Sequence, residues 1–276
     1  MCNYRYETIP GYFAHDDPAK LPLPAVPPRF GLNDESENRW TTFLAQIKDL
    51  NKAASPGTLY KFFLLSRHGQ GYHNLAEAKY GTAAWDDYWS KLNGDGEIVW
   101  GPDPKLTPLG IEQARTIHEG WVTEAKFGLP APLNRYSSPL TRAMLTALII
   151  FNGTYEKYPS RILVKENIRE VMGVHTCDKR NTHSYIADAF PSFEIDSCLT
   201  EEDELWDPNV RESDTAVAAR AKTILDYVFE NNHDTIFTSL TAHGGFINGF
   251  LNATGRPNFS LATGGVLPLV VKATTE

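Results

Sequence analysis

The 276-residue sequence predicts an α/β chain built on a mainly parallel sheet. Three observations carry this. Short apolar runs alternate with longer segments of helical periodicity, the pattern of strands joined by crossover helices. Two of the runs end in a histidine followed by glycine, His68-Gly69 and His243-Gly244, far apart in the chain. Loops leaving the C-termini of parallel strands line a common crevice, so the two histidines are expected to meet. There are no internal repeats and no low-complexity tract.

In chain order, residues 1–35 carry Pro10, Pro18, Pro22, Pro24, Pro27 and Pro28 and read as a wrapped extension outside the core. Trp40, Phe43, Ile47 and Leu50 recur at helical spacing before a break at Ser55-Pro56-Gly57. Residues 1–58 thus read as an extension and helix packed on a domain spanning 59–276. The first core strand is expected at 59–66. Residues 70–105 are rich in aromatics and read as a partly helical insertion over the site. Thr107 caps a helix with Pro108 at its first position, carried by Ile111, Ala114, Ile117, Trp121, Val122 and Ala125. A strand at 133–136 precedes Ser138-Pro139, read the same way, as cap and first residue of a helix running to Phe151. Residues 161–165 read as a third strand and 173–210 as a second, irregular insertion. Thr215 to Phe229 is an amphipathic helix; 235–240 and 265–271 are the remaining strands.

Composition narrows the classes. The chain is 42% hydrophobic and 22% charged, ordinary for a globular protein, with a formal net charge of −8. No run of Lys and Arg suggests a nucleic-acid partner. No window approaches the roughly 18 consecutive apolar residues of a spanning helix, so no membrane partner is expected. Cys2, Cys177 and Cys198 form no CxxC pair and no zinc spacing, which fits a reducing compartment. With no signal-peptide pattern between Met1 and Pro28, a cytoplasmic location is expected. Oligomeric state leaves no mark on the sequence.

The residues at the strand ends point to phosphoryl chemistry. A neutral imidazole such as His68 attacks phosphorus and carries the group covalently. Arg67 stands beside it, Gly69 permits a tight turn, and Asn74 lies six residues on. Arg142 falls in the first turn of its helix, where free N–H groups and a planar fork both suit phosphate oxygens. His243 precedes Gly244 and Gly245, whose N–H groups are open to a ligand. Glu170 follows the third strand, and cleavage of an alkyl phosphate needs an acid at the leaving oxygen. Like charge on a phosphate dianion favours the protonated form of a carboxyl beside it. Judged singly, each has a plainer reading as a packed histidine, a solvated arginine or a surface glutamate.

Together these segments resemble the histidine phosphatase superfamily, in the branch named for cofactor-dependent phosphoglycerate mutase. Arg67-His68-Gly69 with Asn74 is similar to its opening RHGxxxxN. Leu106 to Ala114 resembles its LTxxGxxQA helix start, and Ser137 to Ala147 resembles SSPLxRAxxT(A). Arg169-Glu170 fits the acidic position and Ala242-His243-Gly244-Gly245 the closing histidine motif, all in family order. The string from Arg67 to Asn74, with Cys177-Asp178-Lys179-Arg180, looks like a fungal and plant subgroup of mutase-like proteins. The resemblance implies a three-layer αβα sandwich of the phosphoglycerate mutase-like kind. It makes His68 the nucleophile, Glu170 the proton donor and then the base, and Arg67, Asn74, Arg142, His243 and Gly244 the phosphate ligands. It implies no metal and no cofactor.

The sequence also departs from the mutases. Where they continue with Glu, Ser and Trp, this chain has Gln70, Gly71 and His73, and their basic loop is not recognisable in 174–195. Hydrolysis of a small-molecule phosphate ester is therefore the expectation, ahead of a phosphoglycerate-type mutase and an idle phospho-ligand-binding domain. A hydrolase with His68 and His73 as metal ligands is a further alternative, opposed by the charge of Arg67. Gln70, Asp178 and Arg180 are candidate substrate contacts, with a structural ion pair as the alternative for the last two.

Overall fold

The computed structural model describes residues 3–153, 161–232 and 235–276. Seven strands form one sheet: β1 (Tyr4–Ile9), β2 (Thr58–Arg67), β3 (Asn134–Ser137), β4 (Leu163–Val164), β5 (Glu194–Ile195), β6 (Phe237–Ala242) and β7 (Val266–Thr275). Their order is β1-β7-β2-β6-β3-β4-β5. β2, β6, β3, β4 and β5 run parallel, while β7 is antiparallel to both β2 and β1.

β2 reads as a nearly unbroken apolar run because both of its faces are covered. Phe63 and Leu65 pack against α7 (Asp214–Asn231) and α8 (Gly244–Ala253), through Ile224, Phe229, Phe246 and Phe250. Phe62 and Leu64 face the other way, onto α1 (Arg39–Ala53), α4 (Pro108–Ala125) and α5 (Thr141–Phe151), through Trp40, Phe43, Ile117, Trp121 and Ile150. Helices on both faces of the sheet make the three-layer αβα sandwich.

Register places the site. Arg67 pairs with Ala242 and Ser137 with Thr241, so β2, β6 and β3 end side by side. The His68 N–H donates to the Ala242 carbonyl at 3.0 Å and the Ser138 N–H to the Thr241 carbonyl at 3.1 Å. His68, Ser138 and His243 therefore emerge together at one edge.

Three expectations are corrected. Residues 1–35 do enter the core: β1 is the edge strand beyond β7, and Phe13, Phe30 and Leu32 are buried on the α1/α4 face. The alternation of Tyr4 and Tyr6, inward, with Arg5 and Glu7, outward, is a strand signal that the later prolines obscured. The chain ends meet there, with the Glu276 N–H donating to the Asn3 carbonyl at 2.9 Å. Second, α5 starts at Thr141, because Leu140 is extended; Ser138 Oγ accepts from the Leu140 N–H at 3.2 Å. The first helical N–H, of Thr141, is taken at 2.8 Å by Asp103, a residue of the first insertion. Third, the segment 173–210 is less irregular than expected, holding α6 (His183–Ala189) and β5.

The first insertion holds α2 (Tyr72–Tyr80) and α3 (Thr82–Asp87) and has its own small core. Trp85 and Trp100 pack there with Ala76 and with Cys177 of the second insertion. Its aromatics are mostly spent on each other.

α1 is tied to α4 by a buried carboxylate. Glu124 accepts from Arg39 Nε at 2.7 Å and Nη2 at 3.1 Å, and from Trp40 Nε1 at 2.8 Å. Removing one partner of a buried ion pair costs more than the pair contributes, since it strands the other charge. Arg39→Ala is expected to lower the unfolding free energy in urea by about 3–5 kcal/mol. Adding Glu124→Gln in that background should recover part of the loss; strictly additive losses would show that the pair is not coupled.

Candidate active site

The loop after β2 is clamped from several sides. A Cβ on Gly69 would lie 2.1 Å from the Gly110 carbonyl oxygen, and one on Gly110 would lie 2.1 Å from that of Gln70. Only two glycines allow this backbone contact. Thr107, the α4 N-cap, accepts from the Gly110 N–H at 3.1 Å and donates its hydroxyl to Gln70 Oε1 at 2.8 Å. Gln113 Oε1 accepts from the Gln70 N–H at 2.7 Å. Thr146 Oγ1 accepts from the Gly69 N–H at 3.1 Å and donates to the Arg142 carbonyl at 2.7 Å. The Leu106–Ala114 segment, read as a helix start, thus also holds the histidine loop.

His68 is buried, with Nδ1 2.7 Å from the Gly69 carbonyl oxygen. A carbonyl only accepts, so Nδ1 carries the proton and Nε2 keeps its lone pair. Burial first, then Arg142 and Arg67, push this imidazole well below its ordinary pKa, so it is neutral at pH 7. The ring lies 4.9 Å from that of His243 and 5.5 Å from that of His73, centroid to centroid. His243 and His73 are likewise held neutral by burial and by Arg142. His243 Nε2 faces Ser138 Oγ at 2.7 Å. That oxygen also accepts from the Leu140 N–H, so Ser138 links His243 to the start of the segment that leads into α5.

The arginines are held by part of their donors only. Arg142, fully buried, donates Nη1 to the Cys177 carbonyl at 2.7 Å and Nη2 to Asp178 Oδ1 at 2.8 Å. Arg67 donates Nη1 to the Leu261 carbonyl at 2.7 Å, and its Cζ lies 3.4 Å from where a Gly244 Cβ would stand, beside the N-terminus of α8. Four buried side-chain nitrogens around His68 have no hydrogen-bond partner: Arg67 Nε, Arg142 Nε, His243 Nδ1 and His73 Nδ1. Unsatisfied buried polar groups are costly, and an anion accepts from all such donors at once. Helix α8 adds its free N-terminal amides.

Glu170 stands over that same helix start. Its Oε1 would lie 2.2 Å from a Cβ on Gly245, and it accepts from the Val171 N–H at 2.9 Å. The segment is fixed from beneath by Arg220, which donates to the Asn167, Arg169 and Glu170 carbonyls and pairs with Glu212. Asn74 Oδ1 accepts from the Gly71 N–H at 3.0 Å, tying it to the loop that carries His68.

Two candidate substrate contacts, Asp178 and Arg180, are corrected, and Gln70 is committed in part to the loop. Asp178 is buried between Arg142 and Arg211, with Oδ2 accepting from Arg211 Nη1 at 2.9 Å. Burial alone would raise its carboxyl, but the two arginines outweigh that and hold it below the ordinary value. It orients Arg142 instead of reaching a ligand. Arg180 donates to Glu166 and to the carbonyls of Asn181, Thr200 and Glu202, so its fork is consumed in the scaffold. Gln70 has its N–H, carbonyl and Oε1 all taken by Gln113 and Thr107. Asp103, Arg211, Ser138 and Thr146 were missed as supports, because their partners lie far away in sequence. Asp103 joins the first insertion to α5 and to Asn181 of the second, at 2.7 Å. Among the described residues, one trio has metal-ligating atoms close together, His175, Cys177 and Asp178, and the arginines already occupy the Asp178 oxygens.

The chain belongs to the histidine phosphatase superfamily (branch 1), whose family model matches residues 63–261, the stretch that holds the clamped neutral histidine and the unpartnered donors around it. Its similarity to individual proteins extends further along the chain. It is 43% identical to a "Probable phosphoglycerate mutase" of Arthroderma benhamiae, over 98% of this chain and 85% of that one. It is 33% identical to "Phosphomutase-like protein 3" of Candida albicans, over 97% and 80%. Among solved structures, the ecdysone phosphate phosphatase of Bombix mori superposes with a TM-score of 0.47 at 16% identity, over 70% of this chain and 76% of that one.

Two outcomes follow from this geometry. Gly110→Ala drives a methyl into the Gln70 carbonyl, and overpacking of this kind costs about 1–3 kcal/mol. Its loss of activity should exceed its loss of stability, measured as kcat/KM against urea midpoint, because the displaced atoms carry His68. The three buried imidazoles are better bases unfolded than folded. Their contribution to stability is whole above the unfolded value near 6.5 and is lost as pH falls below it. The urea midpoint should therefore drop between about pH 7 and pH 5, with a shallower slope in His68→Asn.

Proposed function

We propose that the chain is a metal-independent phosphomonoesterase that hydrolyses a small phosphorylated metabolite through a phosphohistidine on His68. The observation that carries this is the neutral His68 imidazole, its Nδ1 proton pinned on the Gly69 carbonyl and its Nε2 lone pair free. In the first step Nε2 attacks phosphorus and the ester P–O bond breaks. The leaving oxygen takes a proton from the Glu170 carboxyl. The phosphorylated ring carries positive charge, which the Gly69 carbonyl stabilises. In the second step Glu170 takes a proton from water, the oxygen attacks phosphorus, and the P–N bond electrons return to Nε2. Arg67, Arg142 and His243 bind the phosphoryl oxygens, with α8 amides and Asn74 beside them. Their positive charge serves the purpose a metal ion serves elsewhere.

The names of the relatives favour a second reading, transfer to another hydroxyl in place of water. Hydrolysis is preferred because the segment where mutases keep a basic loop offers little free charge: Arg180 is buried against Glu166. Cys177 and Cys198 are both free thiols, in keeping with a cytoplasmic site of action.

Acid-labile, base-stable phosphate label should accumulate on the wild type and be absent from His68→Ala. Label that survives acid, or that persists in the variant, would sink the assignment. Glu170→Gln should slow single-turnover phosphoenzyme formation from alkyl esters by about 100- to 10,000-fold, the usual range of general acid catalysis. p-Nitrophenyl phosphate, whose leaving group needs no proton, should lose far less. Equal losses would reduce Glu170 to a positioning role. Release of inorganic phosphate, without transfer to an added alcohol, separates hydrolase from mutase.

A further inference from the structure

Of the four unpartnered nitrogens around His68, three belong to residues already assigned to the phosphate. The fourth, Nδ1 of His73, does not. We propose that His73 is a further phosphate contact, donating from Nδ1–H to an oxygen of the transferred phosphoryl group.

The placement of His73 is built into the loop. The residue is 8% exposed although it sits in the first turn of the short helix α2. A Cβ on Gly71 would lie 2.7 Å from His73 Nδ1 and 3.4 Å from Arg142 Cδ. Gly71 has an ordinary φ of −92°, so its backbone does not require glycine. The missing side chain is what lets the imidazole fold back beside Arg142. The ring centroid then lies 5.5 Å from that of His68. No described residue takes the Nδ1 hydrogen bond there, and burying a donor without an acceptor is unfavourable unless something else supplies one. Besides burial, the ring feels the charge of Arg142 most, then His68, Arg67 and His175, and no carboxylate is among these. A metal ion fits that company poorly; an anion with several oxygens fits it well. A neutral imidazole has one proton for its two nitrogens, and an incoming phosphate dianion draws that proton to the nitrogen that faces it.

The assignment rests on the proposed phosphate chemistry of the pocket, but its test does not need turnover. Inorganic phosphate binding is measured by calorimetry on the wild type, His73→Phe, His73→Asn and Gly71→Ala. Phe keeps the ring and loses the donor; Asn restores an N–H close to Nδ1. Gly71→Ala leaves the imidazole intact and pushes it aside. His73→Phe is expected to weaken phosphate binding by about 10- to 100-fold, as for loss of a hydrogen bond to a charged group. His73→Asn should keep most of the affinity, Gly71→Ala should lose it like Phe, and thermal midpoints should not follow this order. Unchanged affinity in His73→Phe, or equal losses in Phe and Asn, would overturn the assignment. If His73→Phe does not fold, unchanged affinity in Gly71→Ala has the same force. A wild type that binds phosphate yet forms no phosphohistidine would defeat the hydrolytic reading alone. A wild type that binds no phosphate would defeat both.

Discussion

The pocket gathers positive charge where water is excluded. Two guanidinium groups and three imidazoles share it, and the protein keeps that arrangement stable without cancelling it. The imidazoles stay neutral, so only the arginines are charged when the site is empty. Each arginine is held by acceptors, by the Asp178 carboxylate and the Cys177 carbonyl for one and by the Leu261 carbonyl for the other. Asp178 in turn is shared with Arg211, so a single carboxylate links two cations. The nitrogens that remain unpartnered among the described residues are donors of the kind an anion engages.

That balance depends on backbone placement to within tenths of an ångström. Parallel pairing brings the ends of β2, β6 and β3 level, and the Gly69–Gly110 contact locks the loop that follows β2. The two insertions, far apart in sequence, then close over the same edge and join through Cys177 and Asp103. Asp103 takes the first free N–H of α5, so the helix bearing Arg142 is capped by the covering segment rather than by its own flank. The covering segment and the helix that carries Arg142 are therefore joined by direct hydrogen bonds.

Much of this was legible because the chemistry is written in local strings. His68, His243 and Arg142 stand out by their neighbours, and β2 and β6 by their apolar runs. Other parts escaped for physical reasons. Helix α8 opens on two glycines and holds a third, a poor helical prospect in isolation. Gly249 is there because α7 approaches closely: a Cβ would lie 2.6 Å from Val217 Cγ1. Arg180 and Asp178 could be read from the sequence either as substrate contacts or as a structural ion pair, and only their distant partners, Glu166 and Arg211, show them to be framework. Ser138 was read correctly as a cap-like residue but for the wrong task, since its hydroxyl serves both Leu140 and His243. In each case the deciding contact is tertiary, and no local pattern encodes it.

The pairing of the first strand with the last has a practical consequence. β1 covers β7, whose ten residues are largely Val, Leu and Ala and would otherwise be an open edge. A variant trimmed of its first nine residues would present that ladder bare, and bare apolar ladders recruit other chains. With β1 in place, the exposed ladder on that side of β2, opposite β3, β4 and β5, is a strand of six residues rather than ten.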